Sequence, residues 1–153
     1  MVRIFISYSR VDIEFVEKKL YPHLARRYRH ENVWYDDEIH GGADWWQTIL
    51  DNIAHADIFL YVLSNESVTS DYCQAEFHEA QRLQKVIITV QARDRTKLGE
   101  TLSAIQYIDM NPNVNQADAI VRLFTAIGHQ NLRAIRKRKP LFSTVTAKPR
   151  MPD

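Results

Sequence analysis

The chain holds one cysteine, Cys73, in 153 residues. A lone thiol forms no internal disulfide, which agrees with a reducing compartment. No His, Asn and Asp arrangement marks Cys73 as a nucleophile, so it reads as a packing residue. The six histidines, His23, His30, His40, His55, His78 and His129, are scattered, and none pairs with Cys73 at zinc-like spacing; no metal site is expected. Long apolar runs are also missing. Nothing approaches the roughly eighteen residues of a membrane span, and Ile4-Phe5-Ile6 is too short and too soon interrupted for a signal peptide. The chain reads as cytosolic, with no membrane partner. Three catalytic signatures are absent as well: G-x-G-x-x-G after the first strand, G-x-x-x-x-G-K-[ST], and the G-x-S-x-G elbow. Their absence disfavours a Rossmann dehydrogenase, a P-loop enzyme and an elbow hydrolase.

Acidic residues are missing between 133 and 150, where Arg133, Arg136, Lys137, Arg138, Lys139, Lys148 and Arg150 stand. The formal charge of +1 therefore hides an acidic body, with 13 basic and 18 acidic side chains in the first 132 residues, and a basic tail. A basic tail can meet nucleic acid, but beside Pro140 and Pro149 it reads better as a solvated linker. The body offers no basic patch interleaved with aromatics, so no direct nucleic-acid partner is expected. At 45% hydrophobic and 25% charged the body has the composition of a globular domain, long enough to bury one core. Residues 1–130 are read as one domain and 131–153 as a C-terminal extension or linker, leading to a sensor domain in a longer protein.

What is present is alternation. Val2 to Ser7 reads as a strand buried on both faces. Asp12 opens a helical pattern with Ile13, Val16, Leu20 and Leu24 on one stripe, and Pro22 predicts a kink or break inside it. Asn32 to Tyr35 is a second strand, followed by Asp36-Asp37-Glu38 and the turn-prone pair Gly41-Gly42. From Asp44 a helix places Trp46, Ile49, Leu50, Ile53 and Ala54 on one buried face and leaves Trp45 off it. Ile58 to Leu63 is the central strand, Val86 to Val90 the next, and Ile105 to Asp109 an edge strand. A last helix carries Ile120, Leu123, Phe124 and Ile127, with Gly128 placed to end it. Strand and helix in alternation predict an α/β fold, a parallel sheet with helices on both faces.

In such sheets ligands bind beyond the carboxyl ends of the strands, which selects Ser7 to Arg10, Asp36 to Trp46, and Ser64 to Glu76. In the third stretch Ser70 can cap a helix beginning at Asp71, whose apolar stripe is Cys73, Phe77, Ala80 and Leu83. Tyr72 and Glu76 lie one turn apart on a face beside it. Taken alone, this is an edge-of-core tyrosine and a solvated glutamate. Trp34 and Trp46 read as core, and Trp45 as a contact for a ligand or neighbouring subunit. A receiver domain would share the alternation, but it requires an acceptor aspartate ending the third strand and a lysine ending the fifth. Here those strands end in Ser64 and Asp109.

Taken in order, Ile4-Phe5-Ile6-Ser7-Tyr8-Ser9, Val33-Trp34-Tyr35-Asp36-Asp37 followed by Gly41-Gly42 and Trp46, Ala56-Asp57-Ile58-Phe59 leading to Leu63-Ser64, and Ser70-x-x-Cys73-x-x-Glu76 resemble the Toll/interleukin-1 receptor (TIR) domain in its bacterial style. The resemblance spans roughly residues 2–130. It implies a flavodoxin-like five-stranded parallel sheet, and one of two activities. Some TIR domains only associate with other TIR domains; others cleave the nicotinamide–ribose bond of NAD+, giving nicotinamide and linear or cyclic ADP-ribose, in bacterial immune signalling.

In the enzymes a glutamate in a W-C-x-x-E-like motif is required, and that position here is Glu76, with Tyr72 where tryptophan is common. Ser7, Tyr8, Ser9 and Arg10, at the end of the first strand, read either as contacts to ribose or phosphate or as ordinary loop capping. Asp37, Trp45 and Tyr72 are read as further substrate contacts, and the resemblance implies an oligomerisation loop at Glu38, Ile39, His40, Gly41 and Gly42 through which a neighbouring copy completes the site. NAD+ is then substrate, and no cofactor is expected. The partners are NAD+ and other TIR domains. The alternative is a non-catalytic scaffold with the same fold.

Overall fold

The structure, a computed structural model, describes residues 1–36, 43–93, 102, 105 and 107–137. The expected loop contacts Asp37, Glu38, Ile39, His40, Gly41 and Gly42, and the extension beyond 137, lie outside the described residues.

The alternating pattern becomes a five-stranded sheet of β1 (Ile4–Ser7), β2 (Val33–Trp34), β3 (Ile58–Leu63), β4 (Val86–Gln91) and β5 (Tyr107–Asp109). All pairings are parallel and the order is β2-β1-β3-β4-β5, the flavodoxin-like order that reverses direction between β1 and β3. Ile58 to Leu63 is the middle strand, as its unbroken apolar run predicts, and all six of its residues are buried.

The described α-helices include α1 (Ile13–Phe15), α2 (Tyr21–Tyr28), α3 (Ala43–His55), α4 (Asn65–Thr69), α5 (Asp71–Arg82) and α6 (Gln116–Lys137). Side-chain alternation divides the core into two layers. Ile4, Ile6, Ile58, Leu60, Val62, Ile88 and Val90 pack on one face against Val16, Leu20 and Leu24 and against Ala119, Leu123 and Ile127 of α6. Phe5, Phe59, Tyr61 and Leu63 pack on the other against Trp46, Ile49 and Ile53 of α3 and Cys73, Phe77 and Ala80 of α5.

Two details follow from local chemistry. A π-helical segment, Val16–Leu20, joins α1 to α2, and Pro22 sits in the first turn of α2. Proline lacks an amide donor and crowds the carbonyl four residues back; widening the helix just before it accommodates both, so the predicted interruption falls where expected. At the other end, Gly128 does not stop the last helix, which runs on to Lys137. Glycine terminates a helix where the chain must turn left-handed. Gly128 makes no such turn, the helix continues through it, and a Cβ there would meet open space.

Candidate active site

Two serine caps in succession aim α5. Ser64 ends β3 and caps α4: its Oγ accepts from the Ser67 amide at 3.1 Å, while Ser67 Oγ accepts from the Ser64 amide at 2.9 Å, a reciprocal capping box. Ser70 then caps α5, accepting from the Cys73 amide at 3.3 Å. This staircase brings the first turns of α5 over the carboxyl end of β1. Cys73, Phe77 and Ala80 point into the core, Tyr72 points outward and is 48% exposed, and Glu76 lies between them, only 8% exposed.

Glu76 is therefore not the solvated helix residue that the helix pattern alone suggests. Its Oε1 accepts a hydrogen bond of 3.0 Å from Ser7 Oγ, and Ser7, the last residue of β1, is 1% exposed. Burial favours the neutral carboxyl and pushes Glu76 up to about 8; the Ser7 hydrogen bond pulls downward and the charge of Asp36 pushes further up. Cys73 is likewise pushed up to about 12, mainly by burial, with the Glu76 charge adding to it. A thiol held there is inert, as the packing reading requires.

A cleft of about 260 Å³ opens above Glu76, walled by Tyr8, Ser9 and Arg10 after β1, Trp34 and Asp36 at the end of β2, Trp45 and Ile49 of α3, and Ser70, Tyr72 and Cys73 of α5. It lies outside the carboxyl ends of the strands, where ligands bind in doubly wound sheets. Tyr72 packs edge-on against Trp45 at 5.2 Å between ring centroids, and Trp46 supports it from the core at 5.8 Å. Tyr8, Ser9, Arg10, Trp45, Tyr72 and Glu76 thus come together as the sequence suggests. Ser7, expected to contact substrate, is buried beneath the cleft wall and donates to Glu76. Trp46 is core, as expected, whereas Trp34 is half-buried and lines the cleft.

Asp36 is the residue that sequence reasoning underrated. One carboxylate oxygen accepts from Trp45 Nε1 at 3.0 Å and stands 3.5 Å from Arg10 Nη2, and its backbone carbonyl accepts from the Tyr8 hydroxyl. A single aspartate at the strand end thereby fixes three cleft residues. The acidic run Asp36-Asp37-Glu38 marks the place, but nothing in it tells Asp36 from its neighbours. A second buried carboxylate, Asp12, accepts from Ser64 Oγ and from Arg93 Nε at 2.9 Å, and Arg93 Nη2 donates to the Val11 carbonyl at 3.0 Å. It ties the segment carrying Ser9 and Arg10 to the ends of β3 and β4. Among the described residues no group of three or more His, Cys, Asp or Glu is placed to hold a metal ion, and no helix is long and apolar enough to cross a membrane.

Fold and cleft together define a flavodoxin-like domain with a buried glutamate at its ligand edge. The sequence model of the TIR domain matches residues 4–124, and the chain belongs to that family. Among solved structures it is similar to the TIR domain of the Toll-related receptor TRR-2 from Hydra magnipapillata, at 22% identity and a TM-score of 0.62, covering 89% of this chain and 99% of that one. The RPS4 and RRS1 TIR domain heterodimer matches at 14% identity and TM-score 0.60, covering 86% of this chain and 99% of that one. Clostridium botulinum CMP N-glycosidase BcmB matches at 16% identity and TM-score 0.55, covering 81% of this chain and 98% of that one. No curated protein matches the sequence.

Proposed function

We propose that this TIR domain cleaves the bond between nicotinamide and ribose in NAD+. The observation that carries the reading is Glu76: a carboxylate at the floor of a cleft, held by a buried serine hydroxyl, with the exposed aromatic face of Tyr72 one turn away. The carbon–nitrogen bond breaks with its electron pair going to the pyridinium nitrogen, so nicotinamide leaves as a neutral molecule and needs no acid. Positive charge develops on the ribose, and an ionised Glu76 beside it stabilises that charge in a site shielded from water. Water then adds to the ribose and loses a proton to give ADP-ribose; attack by the adenine of the same molecule gives the cyclic product.

Tyr72, backed by Trp45 and Trp46, offers the flat surface on which the nicotinamide ring stacks. The cationic ring of the bound substrate favours the ionised form of Glu76 and offsets the burial that raises it in the empty cleft. Arg10, steadied by Asp36, faces the phosphates. That a protein of similar fold is a CMP N-glycosidase supports N-glycosidic chemistry on this scaffold. The association of TIR domains in the RPS4–RRS1 heterodimer supports a role for neighbouring copies, and it is also the observation behind the scaffold alternative.

The test is NAD+ consumption by concentrated protein, with nicotinamide and ADP-ribose products resolved. Glu76→Gln is expected to lower turnover by at least about 100-fold, the scale of removing a principal electrostatic group. Wild-type turnover in folded Glu76→Gln, or none in wild type even when forced to oligomerise, would leave the scaffold reading.

A further inference from the structure

We infer that Ser7 is a positioning residue: its hydroxyl grips one oxygen of Glu76 from beneath the cleft and turns the other toward the substrate. This inference rests on the NAD+ reading for its catalytic meaning, but its structural content can be measured without it.

The side-chain period of β1 sets up the contact. Ile4 and Ile6 face one core layer, and Phe5 faces the other. Ser7 falls on the Phe5 side, under α5, where an apolar residue would continue the packing. A serine there places a polar atom in a buried layer, 1% exposed, and its donor is spent on Glu76 Oε1 at 3.0 Å. Among the described residues no other hydrogen bond reaches the Glu76 side chain. Ser7 is not among the residues that wall the cleft. A hydroxyl that donates to a buried carboxylate stabilises its ionised form.

The other charged or titratable groups around Glu76 do the opposite or stand apart. Asp36, from the end of β2, repels a carboxylate charge, and Arg10 is occupied with Asp36. Cys73 on α5 and Tyr61 on β3 are both held neutral by burial. From the described residues of α3, the uncharged Trp45 and Ile49 line the cleft. Among the described residues Ser7 is thus the group that opposes burial at Glu76.

The experiment titrates the Glu76 side-chain carboxyl by carbon-13 NMR in glutamate-labelled protein, with the signal assigned by its loss in Glu76→Gln. It then compares wild type with Ser7→Ala, and follows NAD+ turnover against pH for both. The expected result is a Glu76 midpoint about one unit higher in Ser7→Ala, the size of one hydrogen bond to an ionised group. The limb of the kcat/KM profile should move up by the same amount, and kcat/KM at neutral pH should fall by about tenfold. Should Ser7→Ala fail to fold, Ser7→Cys, with similar volume and a weak donor, gives the same comparison. An unmoved Glu76 midpoint overturns the inference. So does a raised KM with unchanged kcat and pH profile, which would make Ser7 a substrate contact. A shifted midpoint in a protein that does not turn over NAD+ leaves Ser7's hold on Glu76 standing and rejects the NAD+ reading alone.

Discussion

At Glu76 burial has two opposed effects. A site shielded from water strengthens the attraction between a carboxylate and a developing positive charge, and the same shielding favours the proton. Glu76 rises from its ordinary value of 4.5 to about 8, so the stability it contributes is fully present below about pH 4.5 and is lost as pH climbs through 8. Glu76→Gln removes that titration. Its expected effect on stability is small at pH 5 and a gain on the order of 3–5 kcal/mol at pH 9, checked by denaturant melts at the two values. If Glu76 acts on NAD+ as proposed, the same rise is expected to place an acid limb near pH 8 on kcat/KM, since that parameter reports the free enzyme. Glu76 was legible as a candidate from its spacing to Tyr72 and from the resemblance. That it is buried was not, because a helix pattern places it beside the apolar stripe without saying what lies opposite.

At the scale of elements, the caps and breaks were open to sequence reasoning because they are local. Ser70 caps α5 and Pro22 interrupts the first helical run, as their chemistry dictates. Gly128 was misleading for an equally physical reason: a glycine ends a helix where it takes a left-handed conformation, and Gly128 takes none, so α6 runs through it to Lys137. Its position costs helix stability without serving a turn, and a Cβ there would meet nothing within 4 Å. Gly128→Ala is therefore expected to stabilise the domain by about 1 kcal/mol, measured as a raised denaturation midpoint with an unchanged slope.

At the scale of the whole molecule, Asp12 links three strand ends, reaching 52 residues along the chain to Ser64 and 81 to Arg93. Asp12→Ala leaves Ser64 and the half-exposed Arg93 without their shared acceptor. The expected cost is about 2–3 kcal/mol, below that of breaking a fully buried pair because Arg93 can turn to water; equilibrium unfolding reads it. The cleft formed by the described residues, about 260 Å³, falls short of the roughly 300–1,000 Å³ of sites that bury a drug-sized ligand. On the proposed NAD+ reading it suits the nicotinamide and ribose better than a whole dinucleotide. Activity is accordingly expected to rise more steeply than protein concentration as neighbouring copies complete the site. Strict proportionality down to the monomeric range would count against that.

The sequence by itself determined the alternation of strands and helices, the apolar runs that make β3 central, the serine cap of α5 and the shared wall of Tyr72 and Glu76, because each depends on residues within a turn or a strand of one another. Only the tertiary structure decided that Ser7 meets Glu76, that Asp36 holds Trp45 and Arg10, and that Asp12 joins the segments that follow three strands. Those contacts depend on the order in which the strands assemble, and on which groups are thereby removed from water.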